Sequence, residues 1–304
     1  MTRPPLSVVV PTRDRPELLA ACLTALRVEL TASDQLLVVD SASVQREAVA
    51  TVAAEWGADL VRCDLKGAAR ARNAGARAAV HECVVFVDDD MRVLPGWAAA
   101  LAAAAHEDVA FVVGRTVAPE GYAGLAATVT SGTPTEVVDR RTVGGVAASN
   151  NLLVRRQALL AAGGFDERLG PGTWFEAGED LEMLDRVLAA GSTGRYAHDA
   201  TAVHEQWRDD KARLRLEFAY GKGMGARAAA AMRRRVRDGL VLLPEVVRLQ
   251  GLLTMVRRAA PALPAPAGAV EDVSGWRAPV LWRLGALLGL AVGLVRLGPR
   301  PAER

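Results

Sequence analysis

Val84-Val85-Phe86-Val87-Asp88-Asp89-Asp90 is the stretch that decides the fold. Four apolar, mostly β-branched residues predict a strand buried on both faces. The three carboxylates that follow cannot join that core, because desolvating clustered like charges is very costly. They stand at the C-terminal end of the strand, the edge of an open α/β sheet where ligands bind. Asp88 and Asp90 are two apart, so along an extended segment they point the same way. Two hard oxygen donors on one side suit Mg²⁺ or Mn²⁺, with a diphosphate completing the shell. The alternative is an acidic strand-to-helix turn that caps the next helix.

Strand and helix signals alternate toward the N-terminus. Leu6–Val10 is an apolar run closed by Pro11. Arg15–Glu29 has helical periodicity, with Asp14 as a candidate N-cap and Pro16 in the first turn. Leu36–Val39 is the next strand, then a helix runs through Trp56, a strand lies near Leu60–Arg62, and the Ala-rich 67–80 is a third helix. This βαβα order predicts a Rossmann-like, mostly parallel sheet flanked by helices. Toward the C-terminus, Gly96–Ala105 predicts a helix, and Val109–Val113 and Asn151–Val154 predict strands. Gly114–Ala148 is rich in Gly, Thr and Pro and predicts irregular, acceptor-facing structure. Gly178–Ala190 reads as a helix ended by Gly191, and Tyr196–Val203 as one or two strands before His204.

The 304 residues suffice for a full core, and 51% hydrophobic with 24% charged is a globular composition. The net charge of +2 hides an asymmetry. Residues 1–207 carry 19 basic and 27 acidic side chains, and 208–304 carry 18 and 8, hence −8 and +10. The chain therefore divides into a main domain, 1–207, and a basic helical region, 208–304. Within the latter, 260–268 is a Pro/Ala-rich linker. Leu284–Val295 is an uncharged apolar run between Arg283 and Arg296, too short to span a bilayer comfortably and suited to its interface. The alternative is a helix packed on the domain. Arg233-Arg234-Arg235 and Arg237 fit an anionic membrane better than nucleic acid, because no nucleic-acid-binding pattern accompanies them. Gly221-Lys222-Gly223-Met224-Gly225 lacks P-loop spacing and is expected to let a helix pack closely on a neighbour. Cys22, Cys63 and Cys83 are scattered, which reads as reduced core residues. With no signal-peptide pattern at the N-terminus, the expectation is a cytoplasmic protein, peripheral on the inner face of the cell membrane.

The ordered segments SVVVPTRDRPELL, VVDSAS, GAARARNAGARAA, VVFVDDD, SNNLLVRR, GGFDERLG, GEDLEMLDR and VHEQWR together resemble the bacterial family 2 glycosyltransferases of GT-A fold, over about residues 6–207. The resemblance implies an inverting transfer of sugar from a nucleoside-diphosphate sugar to a hydroxyl. The acceptor would be a glycan, a lipid-linked molecule or a small molecule, and a divalent cation (Mn²⁺ or Mg²⁺) would be the cofactor.

It also assigns roles. Pro11, Thr12 and Arg13 lie against base and ribose, Asp40 against the base edge, and Arg70, Arg72 and Asn73 against the nucleotide. Asp88 and Asp89 belong to the donor site. Asp90, with Asp88 and His204, holds the cation. Asp180 is the general base and Glu179 positions the acceptor. Asn150, Asn151 and Trp174 touch the donor sugar or acceptor. Rival readings stand beside several of these. Thr12, Asp14, Asp40 and Ser43 are ordinary helix caps, Glu179-Asp180 complements a helix dipole, a lone His is more often structural, and Trp174 and Trp207 suit a core. Two other functions share the acidic site: a sugar nucleotidyltransferase, for which a Gly-rich, Lys-containing triphosphate loop is missing from the first turn, and a non-catalytic nucleotide-sugar-binding protein.

Overall fold

The computed structural model describes residues 3–120, 122, 136–139, 142–205, 210–247 and 277–298. Trp207 and the 260–268 linker fall outside them. The strands are β1 (Leu6–Thr12), β2 (Gln35–Ser41), β3 (Asp59–Cys63), β4 (Cys83–Val87), β5 (Met91–Val93), β6 (Val109–Val117), β7 (Glu136–Val138), β8 (Asn151–Arg155) and β9 (Thr193–His204). The helices are α1 (Pro16–Glu29), α2 (Arg46–Glu55), α3 (Ala68–Ala78), α4 (Trp97–Ala104), α5 (Val143–Val146), α6 (Arg156–Ala161), α7 (Glu179–Ala189), α8 (Asp210–Arg234), α9 (Val236–Val247) and α10 (Arg277–Arg296).

Among the described residues the strands form a single sheet in the order β3-β2-β1-β4-β8-β6-β9-β5, with β7 on β9. The N-terminal half, β3-β2-β1-β4, is parallel, as strand–helix alternation requires. Beyond it the sheet is mixed: β8 runs antiparallel between β4 and β6, whereas β6 and β9 pair in parallel. Every residue of β1 and β4 is buried, because each face of the sheet carries its own core. One core packs Leu19, Leu23, Leu26, Trp97 and Leu101 from α1 and α4 against Val8, Val10 and Val85. The other packs α3 and α7 against Val9, Phe86 and Leu152, with Phe86 and Phe165 edge-to-face at 5.2 Å.

One local expectation changes, and two short strands are new. Asp14 does not cap α1; the N-cap is Arg15 and makes no side-chain cap bond. Asp14 has φ +53° and instead accepts the backbone N–H groups of Val44 (2.6 Å) and Gln45 (3.0 Å), binding the turn after β1 to the one after β2. β5 and β7 escape periodicity because three residues are too few to show it.

The C-terminal helices pack on the domain and on each other. Gly221, Gly223 and Gly225 do allow close approach, as expected. A Cβ at Gly225 would lie 2.0 Å from the Ala286 carbonyl oxygen, and one at Gly223 would lie 2.6 Å from Ala177. The run 284–295 therefore lies within a helix packed along α8. No described helix is long and apolar enough to cross a membrane.

Candidate active site

The acidic triplet ends β4, as its sequence dictates, and its three carboxylates go three ways. Asp88 is partly exposed and takes a 2.7 Å ion pair from Arg72 Nη2. Asp89 is fully buried, accepts from Thr12 Oγ1 at 2.7 Å, and pairs with Arg15 Nη2 at 2.6 Å. Burial pushes its carboxyl up to about 7, against the pull of Arg15. Asp90 lies 3.3 Å from Arg15 Nη1 and 3.5 Å from His204 Nε2. That last approach follows from the sheet, since Met91 of β5 faces His204 of β9 in the ladder and Glu205 N donates to Asp90 O.

A divalent cation therefore meets a partial donor set. Among the described residues no three His, Cys, Asp or Glu side chains converge into a complete cage. Asp90 Oδ1 and His204 Nε2, 3.5 Å apart, have the spacing and donor chemistry of two ligands to one cation. The residues fit a cation whose remaining positions are filled by phosphate oxygens and water. Asp88 contributes less to such a set, because Arg72 engages it.

Arg72 is the residue on which the site turns. It is buried on α3 and spans Asp88 on one side and Glu179 Oε1, 2.8 Å away, on the other. Burial opposes its charge, but Asp88 and Glu179 outweigh burial and its pKa is raised. Glu179 is also buried. Burial first, and the neighbouring charge of Asp180 second, raise its carboxyl to about 7 despite Arg72. Space for it comes from Gly170 at φ +85°, where a Cβ would stand 2.6 Å from the Glu179 carboxyl carbon. Pro171 O accepts from Ala68 N, fastening this glycine-rich loop to the start of α3.

Asp180 differs from Glu179 in exposure. It reaches solvent, and Oδ2 accepts from Ser149 N (3.2 Å) and Oγ (3.4 Å). The helix it opens is anchored from behind: Asp185 forms a two-pronged buried pair with Arg227 of α8 at 2.6 and 2.8 Å, and Glu182 pairs with Arg186 and Arg234.

The remaining predicted residues divide. Asp40 is buried at the end of β2, pairs with Arg62 and accepts from Ser43 N at 2.9 Å. Pro11 is buried and Arg13 exposed in the same turn. Asn150 lies beside Ser149, buried, with Nδ2 lacking a hydrogen-bond partner. Asn151 is committed inward: it accepts from Trp97 Nε1 (2.8 Å) and donates to the carbonyls of Arg115 (3.0 Å) and Ala200 (2.9 Å). Asn73 is likewise spent on Phe165, whose N–H it accepts at 2.8 Å and whose carbonyl it bonds at 2.9 Å. Both asparagines therefore hold loops in place through these bonds. Arg70 points toward Glu167 and away from the triplet. Trp174 is 43% exposed on the loop before α7, with Lys222 5.0 Å and Arg296 5.8 Å from its ring. A cavity of about 500 Å³ adjoins the triplet, lined by Cys22, Asp89, Asp90, Tyr122 and Glu205. Sequence reading passed over Arg15 and Ser149. Charge balance was the available signal for Arg15, since three adjacent carboxylates need cations near them.

The family model for glycosyl transferase family 2 matches residues 7–159. The chain belongs to this family. The match contains β1, the acidic triplet and Arg72, while the Glu179-Asp180 pair and His204 lie beyond it. Two curated relatives, both named pre-mycofactocin glycosyltransferase and found in the CDC 1551 and H37Rv strains of Mycobacterium tuberculosis, are 29% identical over 210 residues. That region is 66% of this chain, and the chain spans only 42% of the relatives' length. Among solved structures, the mannosyltransferase PcManGT from Pyrobaculum calidifontis, in complex with GDP-Man and Mn²⁺, superposes with a TM-score of 0.63 at 18% identity. The match covers 98% of this chain and 89% of that one. TarS residues 1–349 of S. aureus with UDP-GlcNAc gives 0.59 at 15% identity, covering 96% and 91%. These likenesses establish that the family 2 chain has the GT-A fold.

Proposed function

We propose that this family 2 glycosyltransferase moves a sugar from a nucleoside-diphosphate sugar to an acceptor hydroxyl, with inversion, and uses Mn²⁺ or Mg²⁺. The observation that carries the reading is the single buried guanidinium of Arg72, which joins Asp88 at the donor end of β4 to Glu179 beside the solvent-reaching Asp180. Pro11, Thr12 and Asp40 line the strand ends where base and ribose would lie. Asp180 accepts the proton as the acceptor oxygen attacks the anomeric carbon. The bond from that carbon to the diphosphate oxygen breaks on the opposite side, its electron pair leaving with the nucleoside diphosphate. Bound at Asp90 and His204, a divalent cation would screen the charge on that leaving group. Donors in the neighbours, GDP-Man and UDP-GlcNAc, support a nucleotide sugar and leave the base open. The reading places the protein at the cytoplasmic face of a cell membrane, supported by the basic composition of 208–304.

The test is calorimetric binding of UDP, GDP, dTDP and CDP, with and without Mn²⁺. One nucleotide should bind in a metal-dependent way, and Asp90→Ala should abolish that dependence. Asp180→Asn should still bind the nucleotide and transfer sugar at least about 100-fold more slowly. Binding of none of the four, or full turnover by Asp180→Asn, overturns the reading.

A further inference from the structure

Helix α10 is assembled inside out. The face it turns to α8 sets small residues around one large one, the buried Trp282: a Cβ at Gly285 would meet the Phe218 carbonyl at 2.3 Å, and one at Gly289 the Lys222 carbonyl at 2.0 Å. The face it turns outward carries the large ones. Val280, Leu284, Leu287, Leu288, Leu294 and Val295 are 39–80% exposed. They recur turn by turn at 280, 284, 287/288 and 294/295, with exposed Ala291 in the turn between, which makes one stripe along the helix. A helix meant for water reverses this, burying Leu and exposing small or polar residues. Close packing through glycines with larger apolar residues outside is the arrangement of helices in lipid.

The charges choose the occupant. Arg283 is exposed at the edge of the stripe, Arg296 is exposed at the end of the helix, and residues 277–296 contain no Asp or Glu. A second copy set on this face would meet the same arginines and no carboxylate. An anionic lipid surface matches both elements, apolar residues entering the acyl boundary while arginines reach the headgroups. α9 adds exposed Val236, Leu240 and Val241 beside Arg235 and Arg237, although it also carries Asp238 and Glu245.

We infer that the outer face of α10 docks on an anionic membrane surface, and that the acceptor is a hydroxyl carried by a lipid in that surface. The second clause rests on the transferase reading. It is carried by the end of α10: Arg296 lies over Trp174, Leu297 packs with Leu169 and Phe175, and Gly298 O accepts from Arg168 at 2.7 Å. The C-terminal end of the docking helix thus abuts the loop that leads into Glu179-Asp180.

Flotation of the full chain with vesicles of 30% phosphatidylglycerol in phosphatidylcholine, against phosphatidylcholine alone, tests the docking. Wild type should float with the anionic vesicles and release in high salt. Leu284→Asp/Leu288→Asp changes only exposed positions and should cut partitioning at least about tenfold while nucleotide binding stays at the wild-type value. Failure of wild type to float, equal flotation of the variant, or a wild-type dimer in light scattering that the variant converts to a monomer, overturns the proposal. Because nucleotide binding is measured on the same samples, a failed membrane result is distinguishable from a failed transferase reading. For the acceptor, transfer to the free sugar hydroxyls of a dialkyl glucoside in those vesicles should fall with the flotation, and transfer to a soluble hydroxyl acceptor should not.

Discussion

Arg72 and Glu179 meet at 2.8 Å in a buried pair that joins α3 to the first turn of α7. The same guanidinium holds Asp88, so one cation serves two carboxylates, with a third, Asp180, close by. Burial first, and the charge of Asp180 second, keep a proton favourable on Glu179 despite its ion pair.

Removing that cation should strand buried charge. Arg72→Met is expected to cost about 3 kcal/mol in urea unfolding at pH 8. Adding Glu179→Gln should recover a substantial part, because the stranded group is then neutral. A double-mutant cycle measures the coupling. Arg72→Lys keeps the charge without the two-sided reach, so it should restore stability better than turnover.

Glu217 on α8 gives a cleaner pH experiment. Its Oε2 is buried without a hydrogen-bond partner, and burial alone raises its carboxyl to about 7. A folded pKa above the unfolded one adds stability that is complete below the unfolded value and fades as pH rises through the folded value. Wild type should lose stability between about pH 4.5 and pH 8. Glu217→Gln should flatten part of that loss and be more stable than wild type by about 2 kcal/mol at pH 8. Chemical denaturation at pH 5 and pH 8 decides it.

Arg15 pairs with both Asp89 and Asp90. Arg15→Met should therefore lower the melting temperature of the metal-free protein by several degrees, and added Mn²⁺ with nucleoside diphosphate should narrow the gap. An equal loss with and without ligand would show that Arg15 acts only in folding.

Between α8 and α10 the backbones leave no room for a methyl group. Gly225→Ala should cost about 1–3 kcal/mol of local stability and speed amide exchange in 277–298, with the sheet unaffected.

Much of this was legible in the chain. β4 and its carboxylates read correctly because an apolar run that stops at three Asp residues has few other interpretations. The parallel half followed from alternation, and Gly191 marks the end of α7 at φ +91°. What escaped depends on distance in sequence. Asn151 ties β8 to Trp97, Arg115 and Ala200, a role that needs three remote partners and leaves no local pattern. Arg15 looked like the opening of a helix. The outward stripe on α10 was visible as an apolar run, but which face α8 would cover depended on the glycines of both helices.

The pairing of β5 with β9 has a consequence for how the protein is made. Asp90 leaves β4 early in synthesis, while His204 arrives with a strand inserted at the far side of the sheet. A nascent or truncated chain ending at residue 159 would display the acidic triplet without its imidazole. The imidazole beside the triplet is thus a product of long-range strand pairing, present only once β9 has joined the sheet.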